Sequence, residues 1–248
     1  MGAEVVALGK RKPAARGCAR APAVRMLHPH PTPAMPAPDF DSVARYYDAL
    51  AGLVFGPRLL AAQRLALARG LPDEAARVLF IGGGTGRVLP ELLQAGRAGQ
   101  VLYLEASAEM LARAAQHLAA TAPELLARVE FRHGTEAALR PDEQFDAVLA
   151  FFLFDLFPAP ELHALLQRLQ PHTHARTRWL VADFAPPRQS WQRGLQWLMY
   201  RFFGLTSGVA GRQLPDIAGA LARLGLRPQW QQRLSGGLVE ASAWEAGA

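Results

Sequence analysis

Four glycines within five positions, Gly82, Gly83, Gly84 and Gly86, are the residues best spaced to meet a ligand. An apolar run, Val78-Leu79-Phe80-Ile81, precedes them and suits a buried parallel strand. Val88, Leu89, Leu92 and Leu93 follow at helical spacing. Strand, glycine turn and helix in that order make a cradle for a nucleotide. Glycine reaches unusual backbone angles and lets a ligand approach the main chain. The helix N-terminus adds free N–H groups and partial positive charge. Alone, such a cluster reads equally as a tight structural turn. Glu105 sharpens the pattern: it ends a second apolar run, QVLYLE, 23 residues after Gly82. In doubly wound folds an acid about 20 residues past the turn binds ribose hydroxyls; the competing reading is a surface acid at a strand end.

Two further carboxylates could move a proton. Asp155 lies among large apolar residues in FFLFDLF, and Asp183 ends the strand WLVADF. Burial would raise the Asp155 pKa and suit it to act as a base; a helix cap or a turn acid is the alternative. Asp183 faces the cleft by its place at a strand's carboxyl end. His133 reads as structural, and His28 and His30 are too isolated to argue for a metal.

The dinucleotide fingerprint G-x-G-x-x-G is absent: its last place holds Arg87 counted from Gly82, and Leu89 counted from Gly84. The spacing present, G-x-G-x-G over Gly82, Gly84 and Gly86, resembles the first motif of class I S-adenosylmethionine-dependent methyltransferases. FDSVARYYDALA upstream resembles the F-x-x-x-A-x-x-Y-D entry segment of the ubiquinone/menaquinone C-methyltransferase family. EASAEMLARA resembles that family's acid-x-S-x-x-M-L segment, and HGTEAAL, FDAVLAFFLFDLF and LVADFAPP follow in its order. The likeness runs from about Phe40 to Trp244; it is specific for the superfamily and loose for the subfamily. One departure is Phe80, which stands where the family usually has an acid that helps hold the cofactor's amino-acid end.

The resemblance implies a Rossmann-like doubly wound sheet of seven strands in the order 3-2-1-4-5-7-6, with a terminal antiparallel hairpin and helices on both faces. It implies S-adenosyl-L-methionine as cofactor, with Gly82, Gly83, Gly84 and Gly86 meeting it through the backbone. Glu105 would hold the ribose, with Ala106 beside the adenine. Thr135 and Glu136 would frame the adenine edge, Phe151 would flank the cofactor, and Tyr47 and Asp48 would lie near it. Asp155 or Asp183 would take any proton the acceptor must lose.

The elements that position these residues follow from pattern. A helix capped by Asp41 or Ser42 begins near Val43, and another runs from about Pro57 to Arg69. A helix from about Ser107 to Ala120 turns Met110, Leu111, Ala114 and Leu118 inward. Strands follow at Arg128 to His133, Phe145 to Phe152 and Arg178 to Asp183, with a helix from Pro158 through Leu169 between the last two. Pro215 to Leu224 is the last helix, and Leu226 to Leu234 and Leu238 to Trp244 form a hairpin across Ser235-Gly236-Gly237.

Residues 185–214 interrupt this alternation. Trp191, Leu195, Leu198 and Phe202 share one helical face, and Trp197, Met199 and Phe203 widen it. The stripe reads first as a helix packed on the domain. The resemblance puts an acceptor lid here, and the wide apolar girth of 190–206 would also suit peripheral contact with a membrane.

Composition sets bounds. Of 27 basic and 21 acidic residues, six and one fall in 1–38, so the formal charge of +6 is nearly all in that stretch. The remainder carries no nucleic-acid footprint. Residues 1–38 hold seven prolines and read as a basic, disordered tail or an early start, with Met26 and Met35 as other starts. The domain is then 39–248. The only cysteine, Cys18, leaves no disulfide framework and suits a cytoplasmic location. No apolar run reaches about 18 residues, so none reads as membrane-spanning. The expected activity is methyl transfer to a small, hydrophobic or aromatic acceptor. The alternatives are an NAD-dependent oxidoreductase, and a cofactor-binding protein without catalysis.

Overall fold

Alternation of inward residues builds the centre of the sheet. In β1 (Ala76–Ile81), Val78 and Phe80 enter the core on one face, while Leu79 and Ile81 enter the core on the other. A strand buried on both faces must be apolar throughout, and this one lies between two parallel neighbours, β2 (Ala98–Glu105) and β4 (Phe145–Phe151). β3 (Val129–His133) pairs outside β2, and β5 (Thr173–Phe184) outside β4. β7 (Val239–Ala246) runs antiparallel between β5 and β6 (Leu226–Leu234). The order is β3-β2-β1-β4-β5-β7-β6, as the resemblance implies.

The computed structural model describes residues 56–74, 76–187 and 214–247. The chain divides into two units, Met1–Pro36 and Ala37–Ala248, and every described residue belongs to the second. The expected tail 1–38, the entry helix with Tyr47 and Asp48, and the cap segment 190–206 lie outside the described residues.

Three helices cover one face: α1 (Gly56–Gly70), α2 (Leu89–Gln94) and α3 (Ala108–Thr121), packed on Val78, Phe80 and Tyr103. α4 (Ala159–Leu169) and α5 (Ile217–Arg223) cover the other, against Leu79, Trp179 and Trp244. Ser107 caps α3 by accepting from Met110 N at 3.2 Å, and Asp216 caps α5 by accepting from Gly219 N at 2.9 Å.

Several boundaries depart from expectation. α2 starts at Leu89, three residues past Gly86, because the chain turns first. β5 begins at Thr173 and not Arg178; its first four residues are largely exposed and carry no apolar signal. β4 stops one residue early, where Phe152 turns to φ 54°. No helix among the described residues is long and apolar enough to cross a membrane.

Candidate active site

Gly82, Gly84 and Gly86 have φ of 63°, 61° and 71°, the left-handed region that only glycine enters freely. Gly82 N donates to Leu104 O at 2.9 Å, so the turn leaves the sheet directly from the β1–β2 ladder. A Cβ on Gly86 would lie 2.8 Å from Ala114 Cβ of α3. Among the described residues, a Cβ on Gly84 would meet nothing nearer than Met110 Sδ at 3.8 Å, so among them Gly84 is the open lip of the turn.

Glu105 ends β2 against that lip. Its Oε2 accepts from Gly84 N at 2.9 Å and its Oε1 from Ser107 N at 3.0 Å. The residue is 6% exposed, and burial raises its pKa against the pull of these N–H groups. A carboxylate has about four acceptor positions, so two N–H bonds leave capacity for hydroxyls.

The neighbouring loops are tied to the same place. Gly134 N donates to Glu105 O at 2.9 Å, and His133 Nε2 lies 2.9 Å from Ala106 O. Thr135 Oγ1 accepts from Ala137 N at 3.4 Å and so caps its own turn. Glu136 pairs with Arg168 Nε of α4 at 2.6 Å. Phe151 is 4% exposed and meets Phe80 edge to face at 5.4 Å, within the core. Phe152 follows it in a left-handed conformation, with its N–H on Ala182 O at 2.7 Å and its ring 5.6 Å from Phe184. That backbone costs about 1–3 kcal/mol for a non-glycine residue and is found disproportionately at ligand sites.

Asp155 and Asp183 meet at the carboxyl ends of β4 and β5. Asp183 accepts from Phe154 N at 3.1 Å, Asp155 N at 3.4 Å and Phe184 N at 2.9 Å, and is 3% exposed. The two carboxyls are neighbours, and each bears on the other's titration. Burial pushes Asp155 up to about 6 and raises Asp183 well above its usual value, the adjacent carboxyl adding to the Asp183 shift. Asp155 Oδ1 is buried and has no partner among the described residues. No group of three or more metal-ligating side chains occurs among the described residues. Of the predicted residues, the structure gathers the glycines, Glu105, Ala106 and Gly134-Thr135 at one turn, and Asp155 with Asp183 at a second. Tyr47 lies outside the described residues.

Sequence reasoning passed over Tyr103 and the Ser107 N–H. Tyr103 is fully buried under the turn, where its hydroxyl donates to Gly84 O at 2.9 Å. The only signal was its inward place in the period-2 alternation of QVLYLE, which reads as core.

Residues 78–175 match a family described as the methyltransferase domain. The same sheet recurs in solved structures. The mitomycin 7-O-methyltransferase MmcR is 21% identical at a TM-score of 0.61, over 76% of this chain and 54% of its own. Over residues 78–175 the chain is thus similar to a methyltransferase domain, and its fold is that of these structures. A family 2 O-methyltransferase from Planctomyces limnophilus in complex with apigenin gives 18% identity and a TM-score of 0.64, over 83% of this chain and 62% of its own. DhpI in complex with SAH gives 23% and 0.55, over 84% and 97%. Identities of this size speak for the fold. The chain spans about half the length of MmcR. No curated protein sequence matches it. The residues present fit the cofactor of such a domain: the lip at Gly84 is open where a Cβ would project, and a carboxylate stands beside it.

Proposed function

We propose that the domain transfers a methyl group from S-adenosylmethionine to a small, hydrophobic or aromatic acceptor. The observation that carries this is the meeting of the Gly84 N–H with the Glu105 carboxylate at the open lip of a left-handed glycine turn. When bound, the cofactor supplies a methyl already activated on a sulfonium; the protein's share is approach and alignment.

In this reading Gly82, Gly83, Gly84 and Gly86 offer main chain to the cofactor. The free lone pairs of Glu105 take the ribose hydroxyls. Ala106, Thr135 and Glu136 border the adenine, the last two through their main chain, since their side chains bond within their own turn and to Arg168. Phe151 supports the pocket from beneath. Phe152 and Phe184 offer an apolar wall for an aromatic acceptor, a molecule like the apigenin that the Planctomyces limnophilus protein binds. A proton leaving the acceptor goes to Asp155, whose Oδ1 is unshared, while Asp183 is engaged by three N–H groups. With Cys18 as its one cysteine, the protein works in the cytoplasm.

Calorimetry separates this from dinucleotide chemistry. S-adenosylhomocysteine should give saturable binding and NAD none. Binding of NAD alone, or of neither at millimolar concentration, would reject the proposal.

A further inference from the structure

We propose that Tyr103 is a positioning residue for the cofactor, acting from beneath the glycine turn by setting the direction of the peptide between Gly84 and Thr85. The inference rests on the cofactor reading above and names a residue that reading does not use.

The phenol reaches the turn from β2 and donates to Gly84 O at 2.9 Å. Its ring cannot swing away. Phe80 holds it edge to face at 5.1 Å, and Phe131 packs at 5.6 Å on β3. Burial raises the Tyr103 pKa, so the hydroxyl stays protonated and remains a donor at every physiological pH. Across a trans peptide, C=O and N–H point in opposite directions, and the described residues contain no cis bond. With Gly84 O turned down to Tyr103, the Thr85 N–H is turned up, away from Tyr103. No acceptor among the described residues takes that N–H. The Gly84 N–H, one peptide earlier, is already committed to Glu105. Thr85 N–H is therefore a donor the turn keeps for a ligand.

The same contact explains two features of the sequence. Gly83 has no positive φ to account for it, yet a Cβ there would lie 2.4 Å from the Tyr103 hydroxyl oxygen and 2.5 Å from the ring carbon that bears it. Gly83 is glycine because Tyr103 fills its space. Phe80, where the resembling family carries an acid, is the ring that keeps Tyr103 in place.

The test is Tyr103→Phe, which keeps the ring and removes the donor. S-adenosylhomocysteine should bind about tenfold more weakly, the equivalent of one buried hydrogen bond. In amide exchange followed by NMR, Thr85 should gain protection on ligand binding in the wild type and gain little in the variant. Gly83→Ala should weaken binding through the same contact. In the double variant the two losses should not multiply, because each removes the same bond. A Tyr103→Phe protein that binds with the wild-type Kd, whatever its melting temperature, overturns the proposal, as do losses that multiply. If the wild type itself ignores the ligand, the cofactor reading falls first and this inference with it.

Discussion

Glu105 accepts from two backbone N–H groups, one from the glycine turn and one from the start of α3. Charge-assisted bonds of this kind contribute about 1.5–3 kcal/mol each, and a buried donor left without a partner costs about 1–3. Glu105→Ala should therefore lower stability by about 2–4 kcal/mol in chemical unfolding and remove detectable S-adenosylhomocysteine binding in calorimetry. Glu105→Gln presents an amide group that can satisfy only one of the two donors, so its cofactor affinity should also fall at least tenfold while more of its stability is kept. Wild-type affinity in Glu105→Gln would show that the carboxylate serves only the turn. This residue was legible in the sequence because the signal is local: a glycine cluster and an acid at a fixed distance along the chain. Tyr103 was not, since an inward residue of a strand declares only that it is buried. Its partner, Gly84 O, is a backbone atom that no residue type encodes.

At the scale of elements, the connection from β4 to α4 shows what a sequence withholds. Asp155 and Asp183 were each visible, but their contact depends on β4 and β5 lying side by side, a pairing across 28 positions. Both carboxyls titrate above their usual value of 3.8, Asp155 at about 6, with burial the largest cause. The sign follows: the folded pair binds protons more tightly than the unfolded chain, so its contribution is fully present below about pH 4. It is lost as pH rises through about 6, by on the order of 2–3 kcal/mol for a shift of this size. Melting temperature measured from pH 4 to 8 should fall along this limb in the wild type. Asp155→Asn, which keeps a donor for Asp183 and removes the second charge, should flatten it and be the more stable protein at pH 8. Parallel profiles for the two would mean the carboxyls do not share a proton. The helices and strands themselves were readable because each core face follows its period. Their ends were less so: Phe152 closes β4 by a backbone turn, and the exposed start of β5 has no apolar pattern to read.

The whole domain carries an opposing charge device at the entrance to β4. Glu143, with a side chain 3% exposed, takes two bonds of 2.8 Å from Arg132 of β3, one of 3.3 Å from Arg77 of β1 and one of 2.8 Å from Arg140 N. One carboxylate thus joins the outer strand β3, the central strand β1 and the segment leading into β4. The Arg132 guanidinium holds its pKa down to about 2. Its contribution is therefore present above pH 4.5 and lost as pH falls from there toward 2, the reverse of the Asp155–Asp183 pair. Removing one partner leaves the Arg132 charge 12% exposed without its main counter-ion, so Glu143→Ala should cost about 3 kcal/mol at neutral pH. None of these groups bonds the glycine turn or Glu105, so cofactor affinity of the folded variant should stay within about threefold of wild type. The two devices also share no residue, and their effects should add. Glu143→Gln should flatten the acid limb of the stability profile, Asp155→Asn the limb above it, and the double variant both. A double variant that departs from the sum would show that strain passes between the β4 entrance and its carboxyl end, which the hydrogen bonds along the sheet give no route to expect.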